Sequence, residues 1–194
     1  MSDRAYYPKG EARRAEILDK TLDAFSTLGY HGSSLREIAR ELDMTSGHLH
    51  YYFATKEELL AAVIEAWDVR NGGRDYSIDK LISSVERNTR YPGLIRLYST
   101  LVAESARPEH PSRSFVGQRF ESLVVHLSAD IAHQQGEGFL DRSLDPQLTA
   151  RCLVAASDGL QVQWLHGQQF NMTAHLVYVA NCLGLKINGP LLQH

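Results

Sequence analysis

Apolar residues recur along this chain at intervals of three and four from end to end. No strand-length stretch combines strict two-residue alternation with β-branched residues. The pattern predicts an all-α protein of about nine helices. Ile17, Thr21, Ala24, Phe25 and Leu28 fall on one face of a first helix over about 10–28, with Gly29 as a left-handed C-cap. Ser34-Leu35-Arg36-Glu37 is a capping-box pattern and opens a second helix, with Leu35, Ile38, Ala39 and Leu42 inward. That helix stops at 41 or 42, and Asp43-Met44 makes a tight turn. A third helix covers about 45–51 and turns Leu49 and Phe53 toward the core. A second capping box, Thr55-Lys56-Glu57-Glu58, starts a fourth helix carrying Leu59, Leu60, Val63, Ile64 and Trp67, which frays at Asn71-Gly72-Gly73. Further helices fit 77–88, 92–106, 112–135, 145–166 and 171–183. Pro92, Pro108 and Pro111 punctuate them, Asp145-Pro146 is an acidic N-cap followed by a first-turn proline, and Gly184 closes the last.

Residues 34–53 carry the most specific signal. A short amphipathic helix, a tight turn and a second short helix is the helix-turn-helix layout, in which the first helix props the second against DNA. Thr45, Ser46, Gly47, His48 and His50 face outward at the start of the second helix, where such helices meet base edges. Gly47 has no side chain to hold the backbone away from DNA. By spacing alone the same residues also fit a plain helical hairpin.

Longer runs separate these readings. Ser34-Leu35-Arg36-Glu37-Ile38-Ala39-Arg40-Glu41-Leu42, then Met44-Thr45-Ser46-Gly47, then Tyr51-Tyr52-Phe53-Ala54-Thr55-Lys56-Glu57-Glu58-Leu59-Leu60 resemble the TetR family of one-component bacterial regulators. Ala15-Glu16-Ile17-Leu18, Ala24-Phe25 and Gly29-Tyr30 match the family's first helix, so the likeness covers about 11–67. One departure is His50, which stands where the family usually has the first tyrosine of a Tyr-Tyr/His-x-Phe run. The resemblance implies phosphate contact by Ser34 and the first amides of the second helix. It implies groove or phosphate contact by Thr45, Ser46, Gly47, His48, His50, Tyr51 and Tyr52, and phosphate pairing by Lys56. Arg13 and Arg14 are phosphate candidates or a solvated face. Phe53 locks the third helix to the core, and His31 is a loop residue. The resemblance also implies a homodimer on a pseudo-palindromic operator, its reading helices ~34–36 Å or more apart.

The division expected is a DNA-binding domain over 1–56 and a ligand-binding and dimerisation domain over 57–194. Trp67, Tyr91, Tyr98, Leu101, Phe120, Leu123 and Trp164 supply the aromatic and apolar surface of a small-molecule pocket, with Glu104 as a polar anchor. Each of them also fits ordinary core packing. The family order assigns the dimer interface to the last two helices, through Leu148, Cys152, Leu153, Ala156, Leu160 and Trp164 on one and Leu176, Val177, Ala180 and Leu183 on the other. A buried core pair is the other reading of those stripes. An effector is expected to favour one spacing of the two reading heads and to release the operator, with the fourth helix carrying the coupling.

Composition changes this picture in few places. The 194 residues are 43% hydrophobic and 22% charged, ordinary for a globular chain. Net charge is −3, and residues 1–56 hold eight basic and eight acidic side chains, so DNA binding must rest on where cations cluster. The histidines and carboxylates form no His-Glu-x-x-His, Gly-x-Ser-x-Gly or phosphate-loop pattern, so neither an enzyme nor a cofactor is expected. Cys152 and Cys182 lack metal-ligand spacing and read as buried thiols. No apolar run is long enough to span a membrane and no signal-peptide core begins the chain, so a cytoplasmic location is expected. A helical protein-interaction module without DNA binding is the rival to the regulator.

Overall fold

The computed structural model describes residues 8–28, 34–70, 73, 76–167 and 170–187. Those residues form nine helices and no strand. They are α1 (Pro8–Leu28), α2 (Leu35–Glu41), α3 (Ser46–Tyr52), α4 (Lys56–Arg70), α5 (Ile78–Asn88), α6 (Pro92–Glu104), α7 (Arg113–Gly136), α8 (Pro146–Leu165) and α9 (Met172–Cys182). The expectations for Gly29, Tyr30, His31, Asn71 and Gly72, and for the side chains of Phe25 and Leu28, lie outside the described residues.

Local chemistry accounts for the ends of these helices. Ser34 and Glu37 form the full capping box: Glu37 N–H donates to Ser34 Oγ at 3.2 Å, and Ser34 N–H donates to Glu37 Oε2 at 2.7 Å. Past α2, Asp43 takes a left-handed φ of 53°. Met44 N–H bonds Ala39 O at 2.8 Å and Asp43 N–H bonds Arg40 O at 3.2 Å. This is a Schellman closure with aspartate where glycine is usual; a short polar side chain tolerates that conformation better than most. Asp145 Oδ1 accepts from Gln147 and Leu148 N–H at 2.8 and 2.9 Å to start α8, and Asn171 caps α9 through Ala174 N–H at 3.0 Å. Gly184, at φ 75°, ends α9, and a Cβ there would lie 3.3 Å from a methyl carbon of Leu140.

Two core clusters hold the helices together. The first joins Ile17, Leu18 and Leu22 of α1 with Ile38, Leu49, Phe53 and the α4 residues Leu59, Leu60 and Val63, then continues to Leu94, Leu97 and Leu101 of α6. Packing therefore crosses the expected border at residue 56: α4 is part of the N-terminal core and extends into the larger bundle. The second cluster joins α5, α7, α8 and α9 around Ile82, Leu127, Ile131, Leu153, Met172 and Leu176. Tyr98, Phe115 and Phe120 pack on the first cluster and Phe120 also on the second. Buried Gln134 ties α7 to the chain after α9, donating to Lys186 O at 3.1 Å and accepting from Lys186 N–H at 2.9 Å.

The cysteines correct the sequence reading. Cys152 and Cys182 are both free and exposed, because they fall on the outward faces of α8 and α9. The stripes assigned to the dimer interface also split. Leu153, Leu176 and Ala180 are fully buried in the chain's own core, and Val177 is buried with them, so none of the four faces outward. Ala156, Leu160, Trp164 and Leu183 are partly buried against the same core. The outward face of α8 carries Leu148, Cys152, Ala155 and Val162, and α9 adds Tyr178, 70% exposed.

Candidate functional site

The third helix is held from both sides. Thr45 Oγ accepts from His48 N–H at 3.2 Å and caps its start; Leu49 and Phe53, both fully buried, anchor its inner face. Thr55 Oγ accepts from Glu58 N–H at 3.0 Å and Glu58 Oε2 accepts from Ala54 N–H at 2.8 Å, which sets α4 directly after α3. With its inner face pinned, α3 presents Thr45, Gly47, His48, His50 and Tyr51 to solvent, Tyr51 at 81% exposure. Ser46 and Tyr52 are half-buried. Nothing lies within 4 Å of where a Gly47 Cβ would be, so the backbone there is open to an approaching surface. Tyr52 lies against Tyr51 (ring centroids 5.1 Å, edge-on) and His48 (5.6 Å), which stiffens the aromatic end of the helix. Lys56 stands half-buried at the first turn of α4.

Ser34 is exposed at the α2 N-terminus, but its N–H and its hydroxyl both donate to Glu37, the hydroxyl at 2.8 Å. These bonds, the backbone one first, hold the Glu37 carboxyl below its ordinary pKa. Sequence reasoning passed over Arg36 and Arg40. Both are exposed on α2 and line a groove of about 580 Å³ between α2 and α3 with Ser34, Met44 and Ser46. The signal is present in the sequence: they are the two cations on the polar face of the supporting helix. Arg13 is paired with Glu16 at 2.6 Å, and the Arg14 guanidinium lies 5.0 Å from the Phe53 ring centroid.

A second feature lies in the larger bundle. Helices α4 to α8 enclose a cavity of about 80 Å³ whose lining includes Trp67, Tyr98 and Leu123 of the expected pocket residues. Tyr91 lies in the adjoining groove toward α1, edge-on to Trp67 at 4.6 Å. Leu101, Glu104, Phe120 and Trp164 do not line the cavity. Leu101 sits beyond it on α6, in the first core cluster; Glu104, one turn further, pairs with Arg107; Phe120 and Trp164 are taken up in packing.

The polar groups of the cavity lie outside the sequence expectations. Arg119 Nε and Nη2 each donate to one oxygen of Asp68 at 3.0 Å, a two-pronged pair with both side chains 17% exposed. Tyr76 OH also donates to Asp68, at 3.2 Å. Arg119 Nη1 reaches Tyr98 OH at 3.4 Å, and its guanidinium lies 4.8 Å from the centre of the Tyr98 ring. Burial raises the Tyr98 hydroxyl well above its ordinary pKa, so it stays protonated and donates to Asp158. Burial in turn raises the Asp158 carboxyl to about 6, against the opposing pull of Arg119 and the Tyr98 hydrogen bond. Trp67 Nε1 donates to Asn88 at 3.1 Å on the α5 side. The only sequence trace of this network is Asp158, a single carboxylate inside the apolar run 152–162.

A paired short-helix reading head on an all-helical body defines a helix-turn-helix protein. Residues 17–63 match the family of bacterial regulatory proteins, tetR family. The HTH-type transcriptional regulator BetI of Klebsiella pneumoniae (strain 342) is 33% identical over 69 residues, 36% of this chain and 34% of that protein. The alignment thus spans about a third of that curated relative's length. A protein of Rhodococcus sp. described as a TetR-family transcriptional regulator superposes with TM-score 0.74 at 22% identity, over 89% of this chain and 99% of that one. A transcriptional regulator from Saccharomonospora viridis, solved in complex with choline, superposes with TM-score 0.68 at 25% identity, over 89% of this chain and 96% of that one. Residues 17–63 thus match the tetR family, and the chain as a whole shares the fold of those solved structures.

Proposed function

We propose that the protein is a sequence-specific DNA-binding transcriptional regulator, a cytoplasmic homodimeric repressor released from its operator by a small molecule. The observation that carries this reading is α3. Its inner face is locked by Leu49 and Phe53, and its outer face offers Thr45, Gly47, His48, His50 and Tyr51 together. Ser46, Tyr52 and Lys56 flank that face, and Arg36 and Arg40 on α2 add the clustered cations that the neutral N-terminal segment requires, beside Ser34. The exposed apolar strip Leu148, Cys152, Ala155, Val162 and Tyr178 is the surface through which two copies pair, setting two reading heads on a pseudo-palindrome. The cavity supports the effector half of the reading, as does the bound choline of the Saccharomonospora viridis neighbour. Homology to regulators argues against an enzyme.

Selection of bound duplexes from a random pool by the purified protein tests this. An enriched pseudo-palindrome is expected, bound less tightly as salt rises, with a log–log slope that reports the phosphates neutralised. No enrichment from a folded dimer would favour an interaction module instead. Tyr51→Ala is expected to weaken the selected site by roughly 5- to 150-fold, the equivalent of about 1–3 kcal/mol for a lost specific contact, and to leave the melting temperature unchanged. Fluorescence anisotropy with the labelled site measures it.

Coupling runs through α4, which starts at the reading head with Lys56 and reaches the cavity with Trp67 and Asp68. Trp67→Ala is expected to change the effector response more than the DNA affinity, because Trp67 lines the cavity and bonds Asn88, about three helical turns along α4 from Lys56. Operator titrations with and without effector check this, and an unchanged response would overturn it.

A further inference from the structure

The polar groups of the cavity differ in how well their charges are matched. Arg119 is satisfied by Asp68 through two bonds of 3.0 Å, so that pair is internally neutral. Asp158, on α8, is not matched in this way. It has the Tyr98 hydroxyl as hydrogen-bond partner and, among the described residues, no ion pair with lysine, arginine or histidine. A desolvated carboxylate whose nearest cation is already engaged is an attractive seat for a positive charge. Aromatic side chains suited to a cation stand around the same space: Trp67, Tyr76 and Tyr98 all line it.

Among the described residues, the charged and titratable groups that line the cavity with Asp158 come from every wall. They are Asp68 on α4, Tyr76 ahead of α5, Lys80 and Arg87 on α5, Tyr98 on α6 and Arg119 on α7. Lys80 and Arg87 have polar contacts of their own and do not figure among the charges that act on the Asp158 carboxyl, whereas Arg119 does. The α5 wall is therefore positive and the α8 wall negative. A ligand cation is steered to the α8 end. The cavity, about 80 Å³, is small for an organic ligand, so the group that enters is compact.

We propose that this cavity takes a compact organic cation, a protonated amine or a quaternary ammonium group, seated on the Asp158 carboxylate against Tyr98 and Trp67. The proposal rests on the reading of the cavity as the effector site. Because Asp158 must be ionised to hold the cation, protons compete with the ligand. With the carboxyl titrating at about 6, its ionised fraction falls about tenfold between pH 7 and pH 5, and affinity falls with it.

The test is calorimetric titration of the full chain with four matched probes: butyltrimethylammonium, butylammonium, butyrate and 1-butanol. At least one of the two cations is expected to bind ten or more times tighter than butyrate and butanol. Which one binds better separates a quaternary from a primary ammonium site. Cation affinity is expected to drop about tenfold from pH 7 to pH 5, and at least tenfold in Asp158→Asn. That variant is expected to be no less stable than the parent at pH 7. A carboxyl whose folded pKa is raised costs stability as pH rises through the interval from its ordinary value to about 6, and the amide removes that cost. Should Asp158→Asn not fold, the pH dependence of the unmodified chain decides alone. Butyrate or butanol binding as well as the cations, or a cation affinity independent of pH, would overturn the cation class and leave a ligand cavity in place. No binding by any of the four would overturn both the cation class and the effector reading.

Discussion

Asp68→Ala is expected to remove about 3–5 kcal/mol of folding stability, the cost of leaving one half of a buried ion pair without its partner. The geometry places the pair where that cost applies. Both side chains are 17% exposed, the guanidinium spends Nε and Nη2 on the two carboxylate oxygens, and Tyr76 adds a third bond to Asp68. Without Asp68, Arg119 keeps, among the described residues, one long hydrogen bond to Tyr98 OH at 3.4 Å, with the ring of Tyr98 beside it. The arginine cannot shed its charge, because its pKa is held above even the ordinary guanidinium value in this setting. The double variant Asp68→Leu, Arg119→Met is expected to recover most of the loss, since a buried pair is worth little more than apolar side chains of similar volume. Urea denaturation of the two variants and the parent measures both differences. A loss below about 1 kcal/mol for Asp68→Ala would mean that water reaches Arg119 freely. The consequence extends to function: the pair clamps the far end of α4 to α7, 51 residues along the chain, so loosening it frees the helix proposed to connect cavity and reading head.

Phe53→Ala is the second large effect, again about 3–5 kcal/mol, from the loss of a fully buried aromatic side chain. Phe53 sits at the C-cap of α3, its N–H on Leu49 O at 3.0 Å and its ring inside the cluster shared by α1, α2 and α4. Arg14 lies over the ring from α1. The ring determines how α3 is oriented, so operator binding should fall with stability. Tyr51→Ala, two residues earlier on the exposed face, should lose binding without losing stability. Urea denaturation together with anisotropy on the same samples separates the two. Phe53→Leu is expected to restore most of the stability. If Phe53→Ala kept both parental stability and parental DNA affinity, the assignment of Phe53 as the anchor of α3 would be wrong.

The contrast between Phe53 and Tyr51 is legible in the amino-acid order alone. In a short helix with one buried side, the 3.6-residue period assigns Leu49 and Phe53 inward and Thr45, His48 and Tyr51 outward, and both capping boxes mark its neighbours. The same local rules place the starts of α8 and α9 at Asp145 and Asn171 and the stop of α9 at Gly184. Where a helix is apolar on more than one side, periodicity stops discriminating. In α8, Leu148 and Cys152 form one stripe and Leu153 another; both read as interface, yet Leu153 is buried in the core and Leu148 is 64% exposed. Which stripe turns inward depends on how α8 lies against α7 and α9, and no local preference encodes that.

The chain's own residues therefore determined the helices, their caps, and the inner and outer faces of the reading head, because those depend on bonds and spacings within a few residues. Tertiary structure alone decided which walls enclose the cavity and which charges meet there. Asp68, Tyr98, Arg119 and Asp158 come from four helices, and their pairing, burial and shifted protonation arise only when α4, α6, α7 and α8 close on one another. Electrostatics in a buried site depends on distance and desolvation, and neither is a property of position along the sequence.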